Sequence, residues 1–216
     1  MLALEFVGLF FLIPTLVAFA GRRVPALPTL WVISAVCLCF LLRDPKFDQK
    51  QLWDSAALPP HLTSVLLLFG AFAALLIFSI WRWNPASLFE LPRRNPLLWV
   101  LILFLYPVLS VYPQGIVFRA FLVQRYASLF GSTTLLIIAS ALAFGYMHIV
   151  FRNGWAVGLS FLGGLIFAAR FVETRSLFLS SFEHALYGCA LFTAGMGSFF
   201  YHGSTQKLKL FRQQTA

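Results

Sequence analysis

Residues 111–126 read VYPQGIVFRAFLVQRY, and they place Arg119 and Arg125 in a strongly apolar region, directly after Pro113 and Gly115. Of the 216 residues, 60% are hydrophobic, 17% aromatic and 11% charged, and the mean hydropathy is +0.85. A soluble surface cannot be assembled from that composition, so the chain reads as an integral membrane protein. In a soluble protein the net charge of +9 would point to nucleic acid. Here the arginines punctuate apolar runs of bilayer-spanning size, which is the pattern of loop charges set by membrane orientation and leaves no nucleic-acid partner implied.

A hydrocarbon core takes about 20 apolar residues as helix, within a range of about 17 to 25. Outward from the opening stretch, candidate spans are Leu2 to Ala20, Thr29 to Leu42, His61 to Trp81, Pro96 to Tyr112, Gln114 to Phe130, Ser132 to Val150, Trp155 to Val172 and Leu177 to Tyr201. The fifth holds both arginines, and it reads either as the continuation of a helix kinked at Pro113 or as a half-spanning segment. The expected fold class is therefore all-α, a polytopic helical bundle of seven to eight transmembrane segments, because an open sheet edge cannot be satisfied in lipid. Residues 1–96 are expected to form N-terminal helices and loops, 97–201 the core, and 202–216 a basic tail, all within one membrane domain. The first segment lacks a basic region before its apolar run and carries Glu5, so it reads as a retained span rather than a signal peptide.

Arg22 and Arg23 follow the first span, and Arg82, Arg93 and Arg94 with Glu90 follow the third, so both loops favour the cytoplasm. The loop between them balances Arg43, Lys46 and Lys50 against Asp44, Asp48 and Asp54 and suits the other side, with the N-terminus. Beyond Pro113 charge alone leaves the topology open, since the tail carrying Lys207, Lys209 and Arg212 is cytoplasmic only if one later segment fails to cross. The three cysteines, Cys37, Cys39 and Cys189, sit in apolar segments with no zinc or haem spacing and read as buried small side chains.

Ionisable groups inside spans are costly and mark functional sites by default. Arg119, Arg125, His148, Glu183 and His184 are the groups to explain. Arg125 sits near a helix end and reads as snorkelling, whereas Arg119 lies six residues deeper and needs an internal partner. His148 and His184 fall on separate late spans, with Phe144 one turn before the first and Gly188 one turn after the second. Adjacent helical residues point about 100° apart, so Glu183 faces away from His184 and is expected to serve Arg119 as counter-ion, or to act as a relocated base.

Taken in order, YPQGIVFRAFL, FGYMH and SSFEHALYG resemble the three motifs of the CAAX protease and bacteriocin-processing family of intramembrane glutamic endopeptidases, written EExxxR, FxxxH and HxxxN. The resemblance spans roughly Leu97 to Tyr201. It implies hydrolysis of lipidated or membrane-bound peptides by metal-independent water attack, with no cofactor and no metal. In the family the first-motif glutamate activates water, its arginine holds the carboxylates, the second-motif histidine orients or activates the water, and the last histidine and asparagine stabilise the oxyanion. Laid onto this chain, Gln114 and Gly115 take the glutamate positions, Arg119 the arginine, Phe144 and His148 the second motif, and His184 and Gly188 the third. Both glutamates and the asparagine are thus replaced. Some relatives begin the first motif Pro-Gln-Glu, and Gly115 falls where their remaining glutamate stands.

That departure bears on the chemistry. A carboxylate in a low-dielectric cavity becomes a better base, because desolvation raises its pKa; glutamine cannot take a proton from water, and glycine offers nothing. Glycine also costs about 1 kcal/mol against alanine inside a helix. Three roles for Gly115 stay open: leaving a water-sized gap, permitting close helix approach, or silencing the enzyme. The alternative function is therefore a catalytically silent relative that binds membrane peptides or regulates. A zinc protease finds no His-Glu-x-x-His helix, a rhomboid-type serine protease lacks the glycine after Ser160, and a transporter would place ionisable residues in both halves. The expected location is an integral membrane site, in a bacterial inner membrane, with lipids and a membrane-bound peptide as partners; substrate identity and oligomeric state are not readable.

Overall fold

A computed structural model of the chain describes residues 1–200, and the basic tail expected at 202–216 lies outside the described residues. The principal helices are α1 (Leu2–Ala20), α2 (Ala26–Arg43), α3 (Ser55–Trp83), α4 (Pro96–Phe130), α5 (Thr133–Phe151), α6 (Gly154–Thr174) and α7 (Leu177–Ala194). The first six are long and apolar enough to cross a membrane. The seventh has 18 residues and is the most polar inside, carrying Ser180, Ser181, Glu183 and His184. The chain is an all-α polytopic bundle, as its composition requires.

Local sequence explains the helix starts. Asp54, Asn95, Ser132, Asn153 and Ser176 each accept a hydrogen bond from a backbone N–H two or three residues on, at 2.8–3.2 Å, which satisfies amide groups that a helix start otherwise leaves unpaired. Gly21, Gly131 and Gly195 end α1, α4 and α7 at positive φ, where glycine meets no Cβ penalty.

Of the two readings of the fifth candidate, continuation through Pro113 is the one observed: Pro96 to Tyr112 and Gln114 to Phe130 form one 35-residue helix, α4. Two π turns, Pro107–Val111 and Ile116–Phe121, flank the Pro113 turn and absorb what would otherwise be a break. Pro113 has no N–H for the carbonyl of Leu109, and the indole of Trp31 on α2 donates to that oxygen at 3.0 Å. At about 1.5 Å per residue α4 is roughly 50 Å long, well beyond a hydrocarbon core of about 30 Å.

Joining the two spans settles which loops share an end. At one end, Arg125 pairs with Glu5, Gln124 with Asp44, and the Ser176 hydroxyl with the carbonyl of Asp54. At the other, Arg152 donates to the Ala18 carbonyl and Phe89 N–H to Ala194. The tie between Arg125 and Glu5 is bidentate, at 3.0 and 2.9 Å, and Tyr126 adds a third bond to the same carboxylate. Arg125 is therefore more than a snorkelling charge, since it fixes the start of α1 to the end of α4. Helix α7 is the central element, packed against α3, α4 and α6. Helices α5 and α6 approach closely through Gly145, which faces Phe161, and Gly164, where a Cβ would lie 3.0 Å from the Ala141 Cα.

Candidate functional site

Arg119 lies in the second π turn of α4 and is 3% exposed. Its guanidinium donates to the Ser180 carbonyl and hydroxyl at 3.4 and 3.3 Å, to the Val111 carbonyl at 3.4 Å and to His184 Nδ1 at 3.2 Å. Guanidinium groups only donate, so His184 Nδ1 is the acceptor and its ring proton sits on Nε2. That Nε2 faces the Tyr106 hydroxyl at 3.4 Å. Phe167 stacks on the other side of His184, with centroids 4.6 Å apart and planes at 21°, and its ring also lies 5.7 Å from the Arg119 guanidinium carbon.

His148 stands where α5 tightens into its last 3-10 turn and is buried. Its Nδ1 is 2.8 Å from the Phe144 carbonyl. A carbonyl only accepts, so His148 is the opposite tautomer, and Nε2 carries the lone pair. Phe144 stands edge-on to both imidazoles, 4.9 Å from His148 and 5.2 Å from His184 between centroids. The second and third motifs therefore meet through this phenyl ring rather than by direct histidine contact.

The first-motif positions are filled differently from what a carboxylate site needs. Gln114 is buried, its amide donating to the Ser110 hydroxyl at 2.8 Å while its own Oε1 has no partner among the described residues. A Cβ on Gly115 would lie 2.9 Å from Leu177 Cδ1 and 3.0 Å from both Arg119 Nη2 and Ser181 Oγ. The space beside this glycine is filled by those three side chains, and two of them, Leu177 and Ser181, belong to α7, so the position lets α7 pack closely on α4. The space bounded by Phe118, Arg119, Phe144 and Phe167 admits no water-sized sphere.

The expected pairing of Arg119 with Glu183 is overturned. The Glu183 carboxylate is fully buried and accepts from Arg170 Nε on α6 at 2.9 Å, while Arg170 also reaches Glu173 at 3.4 Å. Among the described residues no carboxylate pairs with Arg119. Glu183 is offset by about 100° around α7 from its neighbour His184, and the cation it meets is Arg170 of α6 rather than Arg119. Arg170 lies inside an apolar span, so the rule that picked out Arg119 applies to it equally.

Gly188, at the family's asparagine position, is occupied from outside. A Cβ there would lie 2.6 Å from Tyr106 Cζ, and closer still to Cε1 and Oη. The Tyr106 ring fills the space an asparagine side chain would take, and its hydroxyl supplies the polar group next to His184. Nothing in the apolar run around Tyr106 marks it in the sequence, except that it is the phenol in WVLILFLYPVL. Among the described residues no three His, Cys, Asp or Glu side chains converge as metal ligands would.

Residues 93–190, which hold all three motif regions, match the model of a family described as type II CAAX prenyl endopeptidase Rce1-like. No curated protein and no solved structure matches the chain in the same comparisons.

Proposed function

From the match of residues 93–190 to the type II CAAX prenyl endopeptidase family, we propose that this chain is a membrane-embedded relative that binds a lipidated or membrane-bound peptide without hydrolysing it. The observation that carries this reading is the state of the three positions the chemistry depends on. Gly115 has no side chain and its space is taken by Arg119, Leu177 and Ser181; Glu183 is committed to Arg170; and Gly188 is covered by Tyr106. Peptide hydrolysis by water attack needs a group that takes a proton from water and room for that water. His148 Nε2 is the base that remains, and the space bounded by Phe118, Arg119, Phe144 and Phe167 is too tight to hold a water molecule. The retained arginine and histidines then work as a fixed polar core, held by Ser180, Tyr106 and Phe167.

Hydrolysis is the second reading, favoured by the family match extending across all three motifs. In that case His148 takes the proton, Arg119 and His184 face the carbonyl oxygen, and the helices must part to admit both peptide and water. Residues 97–201 serve as the core in either case, with 1–96 bracing it. Loops carrying Arg22, Arg23, Arg82, Arg93, Arg94 and Arg152 lie at one end and face the cytoplasm by the positive-inside rule; a bacterial inner membrane suits this arrangement.

The test uses the full chain in nanodiscs with a pool of lipidated peptides carrying a photo-crosslinker. The expected result is crosslinking without cleavage by the wild type, and cleavage gained in Gly115→Glu/Leu177→Ala, which restores the carboxylate and clears Leu177 from its path. Cleavage by the wild type that disappears in His148→Ala would establish the hydrolytic reading instead, and neither crosslinking nor cleavage would reject both.

A further inference from the structure

At the end of the bundle that carries Glu5 and Asp44, the α2–α3 loop and the α6–α7 turn line an open cleft of about 470 Å³, within the range of about 300 to 1,000 Å³ typical of small-ligand sites. Its lining includes Asp48, Lys50, Trp53, Asp54 and Arg175. The loop that forms it is built rather than loose. Phe47 and Leu52 are buried, the Tyr112 hydroxyl donates to the Leu52 carbonyl at 2.8 Å, and the Ser176 hydroxyl donates to the Asp54 carbonyl at 2.6 Å. Asp48 and Asp54 each accept one local backbone N–H through Oδ1, which orients the carboxylates.

Trp53 is 68% exposed, yet one face of its indole stacks on Tyr112 with centroids 4.8 Å apart and planes at 16°. The opposite face is left as a platform at the rim. Among the described residues no ion pair engages Asp48, Asp54, Lys50 or Arg175, although all four line one space. The cleft sits where α2 and α6 end and α3 and α7 begin, and the ends of helices long enough to cross a bilayer fall at the level of the lipid head groups. Two acids and two bases give the lining no net charge. An anionic lipid would satisfy the bases and be repelled by the acids, whereas a ligand carrying both signs satisfies all four.

We propose that this cleft binds the head group of a zwitterionic phospholipid, with its ammonium against Trp53, Asp48 and Asp54 and its phosphate against Lys50 and Arg175. A cation over an indole face is attracted by the ring quadrupole, and a guanidinium suits phosphate oxygens in pairs. The site lies apart from the His148 and His184 core, so it stands whether or not the peptide-binding reading does.

The experiment is native mass spectrometry of the detergent-purified full chain titrated with short-chain phosphatidylethanolamine or phosphatidylglycerol. Phosphatidylethanolamine is expected to bind about tenfold more tightly, equivalent to about 1.4 kcal/mol. Trp53→Ala and Arg175→Gln should each erase that preference, Asp48→Asn/Asp54→Asn should invert it toward phosphatidylglycerol, and Leu162→Ala, an exposed apolar position on α6, should leave it intact. Melting curves identify any variant that fails to fold, and Trp53→Phe, which keeps an aromatic face, should retain most of the preference. Equal affinity for the two lipids, or an unchanged preference in the double aspartate variant, overturns the proposal. So does displacement of the lipid by inorganic phosphate as readily as by glycerophosphoethanolamine, because the cleft would then be a phosphate site.

Discussion

Adding a single methyl group at Gly188 tests whether Tyr106 has taken the place of the motif asparagine. In an unobstructed helix Gly188→Ala would stabilise by about 1 kcal/mol. Here the new Cβ would lie 2.6 Å from Tyr106 Cζ, where ordinary van der Waals contact begins near 3.4 Å, so the ring must retreat by nearly 1 Å. It has little room to do so, because the Tyr106 ring packs edge-on to Phe192 at 5.4 Å and to His184 at 6.3 Å. Overpacking of this kind costs about 1 to 3 kcal/mol, and a ring held on two sides belongs at the upper limit, which leaves a net loss of about 2 kcal/mol. At about 2 to 4 °C per kcal/mol for a chain of this size, the melting temperature should fall by about 4 to 8 °C. The decisive assay is a double-mutant cycle followed by thermal melting in detergent. In a Tyr106→Leu background the obstruction is gone and Gly188→Ala should become neutral or stabilising, giving a coupling of about 2 to 3 kcal/mol. Equal effects of Gly188→Ala in both backgrounds would show that the two side chains do not compete for one space.

Two further outcomes follow from the buried and interfacial carboxylates. Glu183→Gln strands Arg170, which keeps only its longer contact to the exposed Glu173; a loss of about 3 kcal/mol is expected, largely recovered in Arg170→Met/Glu183→Met, and a melting temperature unmoved by the single change would refute the pairing. At Asp44, hydrogen bonds from Gln124 and from the Lys46 N–H hold the carboxyl below the usual aspartate range. A folded-state value below the unfolded one means that the stabilisation is fully present above the ordinary aspartate value of about 3.9 and is lost as pH falls through the folded value. Wild type and Asp44→Asn should therefore differ in melting temperature near neutrality and converge in acid; a difference that persists in acid would exclude this account.

The bundle was legible because lipid leaves a chain few options, and apolar run length alone located α1, α2, α5 and α6 to within three residues, while α3 begins six residues before its expected start and α7 ends at Ala194 rather than Tyr201. Continuity of α4 was one of two readings the sequence allowed, and Pro107 and Pro113 could not decide between them, because the π turns and the Trp31 indole that make the helix tolerable are tertiary facts. At the site, Arg119, His148 and His184 were found by cost: each is a polar group where none is cheap. Arg170 was open to the same argument and was passed over, so Glu183 was given the wrong partner. Tyr106 could not have been found that way, because a phenol in an apolar run is ordinary. What betrays it is the size of the hole left by Gly188 on another helix, and volume complementarity between distant segments leaves no mark in one sequence.

The π turn at Pro107–Val111 carries a consequence for how this helix tolerates length change. A π turn is an α turn with one residue inserted, so a one-residue deletion within 107–111 would let the segment relax to regular α geometry with its backbone hydrogen bonds intact. Everything on its N-terminal side would then rotate by about 100° about the helix axis relative to Gln114 and Arg119. Tyr106 would swing away from Gly188 and His184, leaving the imidazole without its hydroxyl neighbour and a cavity in place of the ring. The wide turn thus behaves as a phase setting between two halves of one helix, and a deletion that no local rule forbids would put the halves out of step.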